Sequence, residues 1–161
     1  MKKKTTLLDE VGMDDLSIIG VYSSYENYRL AFLLNLYLGW QFERLPLDLD
    51  IKYKDTFVQF PMYKSKYHNG EVDVFLIANR VTKQEDKRIS TGLFDKQVER
   101  SRVYKLLPEL KHLDYLIKIE NEQNIISLDE LVKKINQADL DASALIIPNK
   151  QIKSKGHLII D

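Results

Sequence analysis

Glu109 and Asp114 are the two acids whose spacing could do chemistry in this chain, and His112 lies between them. Carboxylates held close together can divide the roles of proton donor and acceptor, or share a cation. Both also have a structural reading. Pro108 suits the first turn of a helix, so Glu109 stands where a carboxylate faces the free N–H groups of that turn. A buried Asp114 must be paired or hydrogen-bonded, and Arg29 offers a planar fork for it at the polar end of an otherwise apolar helix. The reading adopted is a structural motif and junction of Arg29, Asn35, Pro108, Glu109, Asp114 and Tyr115. No catalytic residue is assigned. His68 and His157 are distant from His112 in sequence and no His-x-x-x-His spacing occurs, so no metal site is expected. No Gly-x-Ser-x-Gly elbow, phosphate loop or Gly-x-Gly-x-x-Gly is present, and no cofactor is assigned.

Lys64, Lys66 and His68 form a candidate basic patch. On a strand they share one face, whereas Tyr63 and Tyr67 share the other. Single-stranded nucleic acid is held by rings and cations on one surface, and here alternation separates them. Lysine on an edge strand also blocks edge-to-edge pairing. Lys96, Arg100, Arg102 and Lys105 add basic charge, offset in part by Asp95 and Glu99. Basic and acidic residues balance at 24 each, so a generally basic nucleic-acid binder is not indicated, which leaves room only for a local patch.

The elements that must position these residues follow from periodicity. Tyr115, Ile117 and Ile119 alternate with Leu116 and Lys118, a strand launched from the proline turn. Ser17–Tyr22 and Ser143–Ile147 read as strands, and Trp40–Leu45, Leu47–Tyr53 and Phe57–Tyr67 as further ones. Pro61 argues for an edge or a bulge. Asn69-Gly70 predicts a type I′ hairpin into a strand over Glu71–Ala78. Ser23 and Glu26 suggest a capping box for a helix over Ser24–Leu38 ended by Gly39, and Ser127 and Glu130 a second one for a helix to about Gln137. Residues 1–16 read as a loosely ordered lead-in, 81–92 as an exposed loop, 93–105 as extended or partly helical, and His157–Ile160 as one more strand.

The first helix carries no charge between Arg29 and Glu43. A helix apolar all round is buried on several sides, so it either crosses the middle of the domain or meets another copy of the protein. Asn35 is its lone polar residue there, expected to bond to neighbouring backbone, with ligand contact as the alternative. At 161 residues, 44% hydrophobic and 30% charged, the chain is expected to be one domain, 1–161, of the α+β class. The expected fold is a mainly antiparallel sheet of five to seven strands, one buried apolar helix and a second C-terminal helix. No stretch approaches the ~20 apolar residues of a membrane span. Thr5, Thr6, Asp9 and Glu10 interrupt any apolar run after Met1-Lys2-Lys3-Lys4, so no signal peptide is expected. The absence of cysteine fits a reducing cytoplasm.

Leu107-Pro108-Glu109, three residues, then Leu113-Asp114-Tyr115 resembles the motif of the IPExxxVDY family, with Leu for Ile and Leu for Val. Tyr28-Arg29-Leu30, Asn35 and Leu38-Gly39 extend the resemblance more loosely. The family is a set of small bacterial proteins, mainly of Bacteroidetes, and the resemblance brings no established activity. It implies a gene context beside ribonuclease III and pyruvate kinase. The expected role is a non-catalytic interaction or adaptor protein, with a homodimer or protein partner. The alternative is an accessory RNA-associated factor, and the third reading is a small enzyme or ligand-binding protein using the Arg29, Glu109 and Asp114 region.

Overall fold

The alternation from Tyr115 to Ile119 is realised as the strand at the centre of a six-stranded antiparallel sheet. A computed structural model describes residues 16–91, 93–122 and 124–160. In chain order the elements are β1 (Leu16–Ser23), α1 (Asn27–Leu38), β2 (Glu43–Arg44), β3 (Leu49–Tyr53), β4 (Thr56–Phe60), β5 (Met62–Tyr67), β6 (Val72–Ala78), β7 (Arg80–Thr91), β8 (Phe94–Lys105), β9 (Tyr115–Glu120), α2 (Leu128–Gln137) and β10 (Ala142–Ile147). The main sheet runs β10-β1-β9-β6-β5-β2, and β3-β4 and β7-β8 are separate two-stranded ribbons. The fold is α+β. The lead-in expected over 1–16 lies outside the described residues apart from Leu16, which begins β1.

Alternation divides the core into two layers. Ile19 and Val21 of β1, Val74 and Leu76 of β6, and Ile117 and Ile119 of β9 pack beneath α1 and α2. Ile18, Phe75, Ile77 and Leu116 face the other way, against β3–β4, the segment Leu106–Leu113 and the C-terminal residues Ile152 and Leu158. Gly20 is needed on this second side. A Cβ there would lie 2.6 Å from Leu113 Cδ1 and 3.1 Å from Ile147 Cδ1, so its missing side chain makes the room in which Leu113 sits.

The local turn chemistry behaves as its residues dictate. Asn69 and Gly70 both have positive φ, and the Glu71 amide donates to the His68 carbonyl at 3.2 Å, closing the β5–β6 hairpin. The Ser127 hydroxyl accepts from the Glu130 amide and starts α2. Gly39 ends α1 at φ 68°.

Five expectations need correction. The stretch 81–92 is not an exposed loop: residues 80–91 form β7, paired throughout with β8. Its alternation shows no apolar stripe in the sequence, and among the described residues only its base, at Val81 and Tyr104, packs on the core, the cross-strand ladder continuing beyond it. The partly helical alternative for 93–105 falls with it. Phe57–Tyr67 is two strands: Pro61 breaks it, handing the chain from the β3–β4 ribbon to the main sheet, while its carbonyl accepts from the Ala78 amide at 3.1 Å. Helix α1 begins at Asn27 without a capping box, because the Ser23 hydroxyl instead donates to the Asp141 carbonyl at 2.9 Å and accepts from the Tyr25 amide. Residues 155–158 form a 3-10 turn, not a strand.

Candidate functional site

The turn that carries Pro108 and Glu109 is organised by Asn79 and not, as expected, by Arg29. Asn79 follows the most apolar strand of the chain and is 0% exposed. Its Nδ2 donates to the Leu113 carbonyl at 2.9 Å and the Leu110 carbonyl at 3.0 Å, and its Oδ1 accepts from the Leu107 amide at 2.9 Å. Its own backbone N–H and carbonyl bond to Asp114 and Leu106. One buried amide thus folds the Leu107–Leu113 turn, including the 3-10 turn at Pro108–Leu110, around itself. Sequence reasoning passed over Asn79 as the end of a strand. The available signal was an asparagine set directly after Phe75-Leu76-Ile77-Ala78.

Arg29 takes no part in this junction. It is exposed, with its guanidinium 4.9 Å from the centre of the Tyr25 ring. Asp114 accepts from the Ser23 amide at 3.0 Å through Oδ2, and its nearest cation is Arg80, 3.8 Å from Oδ1. Glu109 turns away to the C-terminal segment. It accepts from the Lys153 and Ser154 amides, both at 2.7 Å, and from the Ser154 hydroxyl at 3.1 Å. Burial alone would raise the Glu109 pKa, but the Ser154 and Lys153 donors outweigh it and hold the carboxyl below its usual range. The two acids therefore serve different neighbours and do not act as a pair.

Asp114 and Tyr115 line a cleft of about 640 Å³ where the end of β1 and the starts of β7, β9 and β10 converge, with Ser24, Glu26, Arg80 and Asp141 around it. Its polar groups are turned largely on one another. The Ser24 hydroxyl donates to Asp141 Oδ2, the Tyr115 hydroxyl donates to the Tyr25 carbonyl, and the Tyr25 hydroxyl accepts from the Asp141 amide at 3.2 Å. Burial, then the charges of Asp114 and other neighbours, pushes the Tyr115 phenol up to about 12, which makes it a fixed donor. Lys105, paired with Arg80 across the β7–β8 ladder, has its pKa lowered by burial and by Arg80, against the pull of Asp114. A Ser–Asp contact without an intervening histidine lacks the base that activates a hydroxyl. The arrangement holds α1 and the loop before β10 onto the sheet.

The other candidates separate. Asn35 bonds to backbone as expected: Nδ2 donates to the Phe42 carbonyl at 3.1 Å and Oδ1 accepts from the Phe42 amide at 2.7 Å. Lys64 pairs with Asp73 at 2.9 Å and lies over the Phe75 ring, while Tyr63 is buried towards the helices. His68 is in the hairpin turn, 3.9 Å from Glu71, and not in line with Lys64 and Lys66. His112 lies against Tyr22, and His157 bonds through Nδ1 to the Leu106 carbonyl at 2.7 Å.

Helix α1 departs most from expectation. It buries Leu30, Ala31 and Leu34, but Tyr28, Phe32 and Leu36 are 62%, 63% and 64% exposed. The buried apolar helix is therefore covered on one side only. Among the described residues no helix is long and apolar enough to cross a membrane. No family model matches the chain, and no match was found among curated proteins or solved structures.

Proposed function

We propose that this chain is a non-catalytic interaction protein that acts as a homodimer paired through the outer face of α1. The exposed stripe of Tyr28, Phe32 and Leu36 carries the reading. The three recur every four residues, so they form one ridge along the helix. A contiguous apolar surface of this kind marks an interaction site. Two features favour a second copy as the occupant. Residues 30 to 38 hold no charge, so two such ridges meet without like-charge contact, and basic and acidic residues balance at 24 each, so copies do not repel at long range. A two-fold axis lets one patch serve both partners, and ridges at four-residue spacing interdigitate with their own kind. The match at Leu107–Tyr115 supports membership of the IPExxxVDY family, and the cysteine-free composition supports a cytoplasmic location.

Light scattering over a concentration series tests the reading. The wild type is expected at twice the chain mass and Phe32→Glu at the monomer mass, with unchanged circular dichroism because Phe32 is 63% exposed and outside the buried core. A wild type that stays monomeric at the highest concentration reached refutes it.

A further inference from the structure

We propose that the β7–β8 ribbon, where its base meets β4, is a docking surface for single-stranded nucleic acid. In sequence, the bases of this region are interleaved with acids that offset them in part. The ladder separates them. Lys83 pairs with Arg102 and Glu85 with Arg100, so Lys83, Arg100 and Arg102 share one face of the ribbon with a single described acid, Glu85. Glu85 is engaged by the Tyr104 hydroxyl. Glu99 pairs with Asp86 in the opposite phase, on the other face. Among the described residues none of Lys83, Arg100 and Arg102 is ion-paired, and Arg100 and Arg102 are exposed.

One open ring, that of Phe57 on β4, lies beside the base of this face, and the Tyr104 ring next to Arg102 is buried. Lys83 Nζ donates to the Phe57 carbonyl at 3.0 Å, joining the basic face to β4. The Phe57 ring is 62% exposed, with Lys52 Nζ 5.9 Å from its centre. The Arg102 guanidinium lies 5.2 Å from the centre of the Tyr104 ring. An open ring with Lys52 beside it, next to a face carrying Lys83, Arg100 and Arg102, is a pairing that can hold a strand, the ring stacking on a base and the cations following the phosphates. Lys64 and Lys66 lack it, because Lys64 is neutralised by Asp73 and Tyr63 is buried. The proposal does not depend on the α1 dimer.

Fluorescence anisotropy with labelled oligo(U) and oligo(dT) tests it on the full chain. Neutralising about three phosphates predicts roughly a 20-fold loss of affinity between about 50 and 200 mM salt. Phe57→Ala should weaken binding by roughly 5- to 150-fold through lost stacking. The exposed double variant Arg100→Glu/Arg102→Glu should weaken it at least as much, while Lys66→Glu on β5 leaves it unchanged. Urea midpoints of all variants establish that they are folded. The inference is overturned if neither oligonucleotide binds at low salt, if the double variant binds like the wild type, or if Phe57→Ala is silent and duplex binds equally well.

Discussion

Removing the Asn79 side chain should damage this fold more than removing any charged residue of the motif. In Asn79→Ala the Leu107 amide loses its acceptor and the Leu113 carbonyl its donor, while the Leu110 carbonyl keeps the Leu113 amide at 3.0 Å. Two backbone groups are then stranded in the core layer of Leu106, Leu107 and Leu113, each 0% exposed. A buried unsatisfied group costs roughly 1–3 kcal/mol, so the variant should lose about 2–6 kcal/mol. That is a large part of the ~5–15 kcal/mol of a small domain. Urea unfolding followed by fluorescence of Trp40, the chain's single tryptophan and a buried one, gives the measurement. Asn79→Asp refines it. The carboxylate still accepts from the Leu107 amide but turns an oxygen towards the Leu110 and Leu113 carbonyls. It should be worse than alanine at neutral pH and recover in acid, where the protonated form is again a donor. A loss below ~1 kcal/mol for Asn79→Ala would refute the hub assignment, since that is the range of an ordinary surface change.

Two further outcomes follow from the motif. Arg29→Met should cost less than about 1 kcal/mol in urea unfolding, the worth of an exposed cation resting on a ring; a loss of several kcal/mol would restore Arg29 to the junction. Glu109 has a folded-state pKa below its unfolded value, so its contribution is present above the unfolded carboxyl pKa of about 4.3 and is lost as pH falls through the folded value. The stability difference between wild type and Glu109→Gln should therefore shrink on acidification below about pH 4; a difference that stays constant down to pH 2 would show that the carboxylate charge is not what holds Lys153 and Ser154.

Local chemistry made much of the fold legible. Apolar runs and alternation placed β1, β6, β9 and β10, Asn69-Gly70 placed the hairpin, and Ser127 placed α2, because each signal acts within a few residues. The β7–β8 ribbon was not legible: its stabilising partner lies on the other side of a turn and both faces carry charge, so the period has no apolar phase to reveal it. The uncharged composition of α1 was read as burial either across the middle of the domain or against another copy, and the domain itself covers Leu30, Ala31 and Leu34 while leaving Tyr28, Phe32 and Leu36 outside, which removes the first alternative. Arg29, at the polar end of this helix, was offered as the partner of Asp114, but it is exposed against the Tyr25 ring. The acids were read as structural, and both accept from backbone amides, but a lone asparagine after an apolar strand carries no periodic signal, so the group that organises their turn was missed.

The motif makes physical sense as a set of four ties leaving one turn. Leu113 drops into the space left by Gly20 on β1. The Asp114 amide donates to the Val21 carbonyl at 3.0 Å while its carboxylate takes the Ser23 amide, so one residue closes the end of β1 through both backbone and side chain. Tyr115 reaches from β9 to the Tyr25 carbonyl at the entry to α1, and Glu109 holds the C-terminal segment. That segment is also held from the sheet, where the buried Lys118 donates to the Leu158 carbonyl at 3.0 Å. Each tie joins pieces distant in sequence, so each must be made after the chain has closed long loops, and none is worth much alone. They work together because Asn79 fixes the turn from which all of them depart. The acids are thereby committed to backbone partners, and the apolar ridge on which the proposed pairing rests, Tyr28, Phe32 and Leu36, stands outside this set of ties.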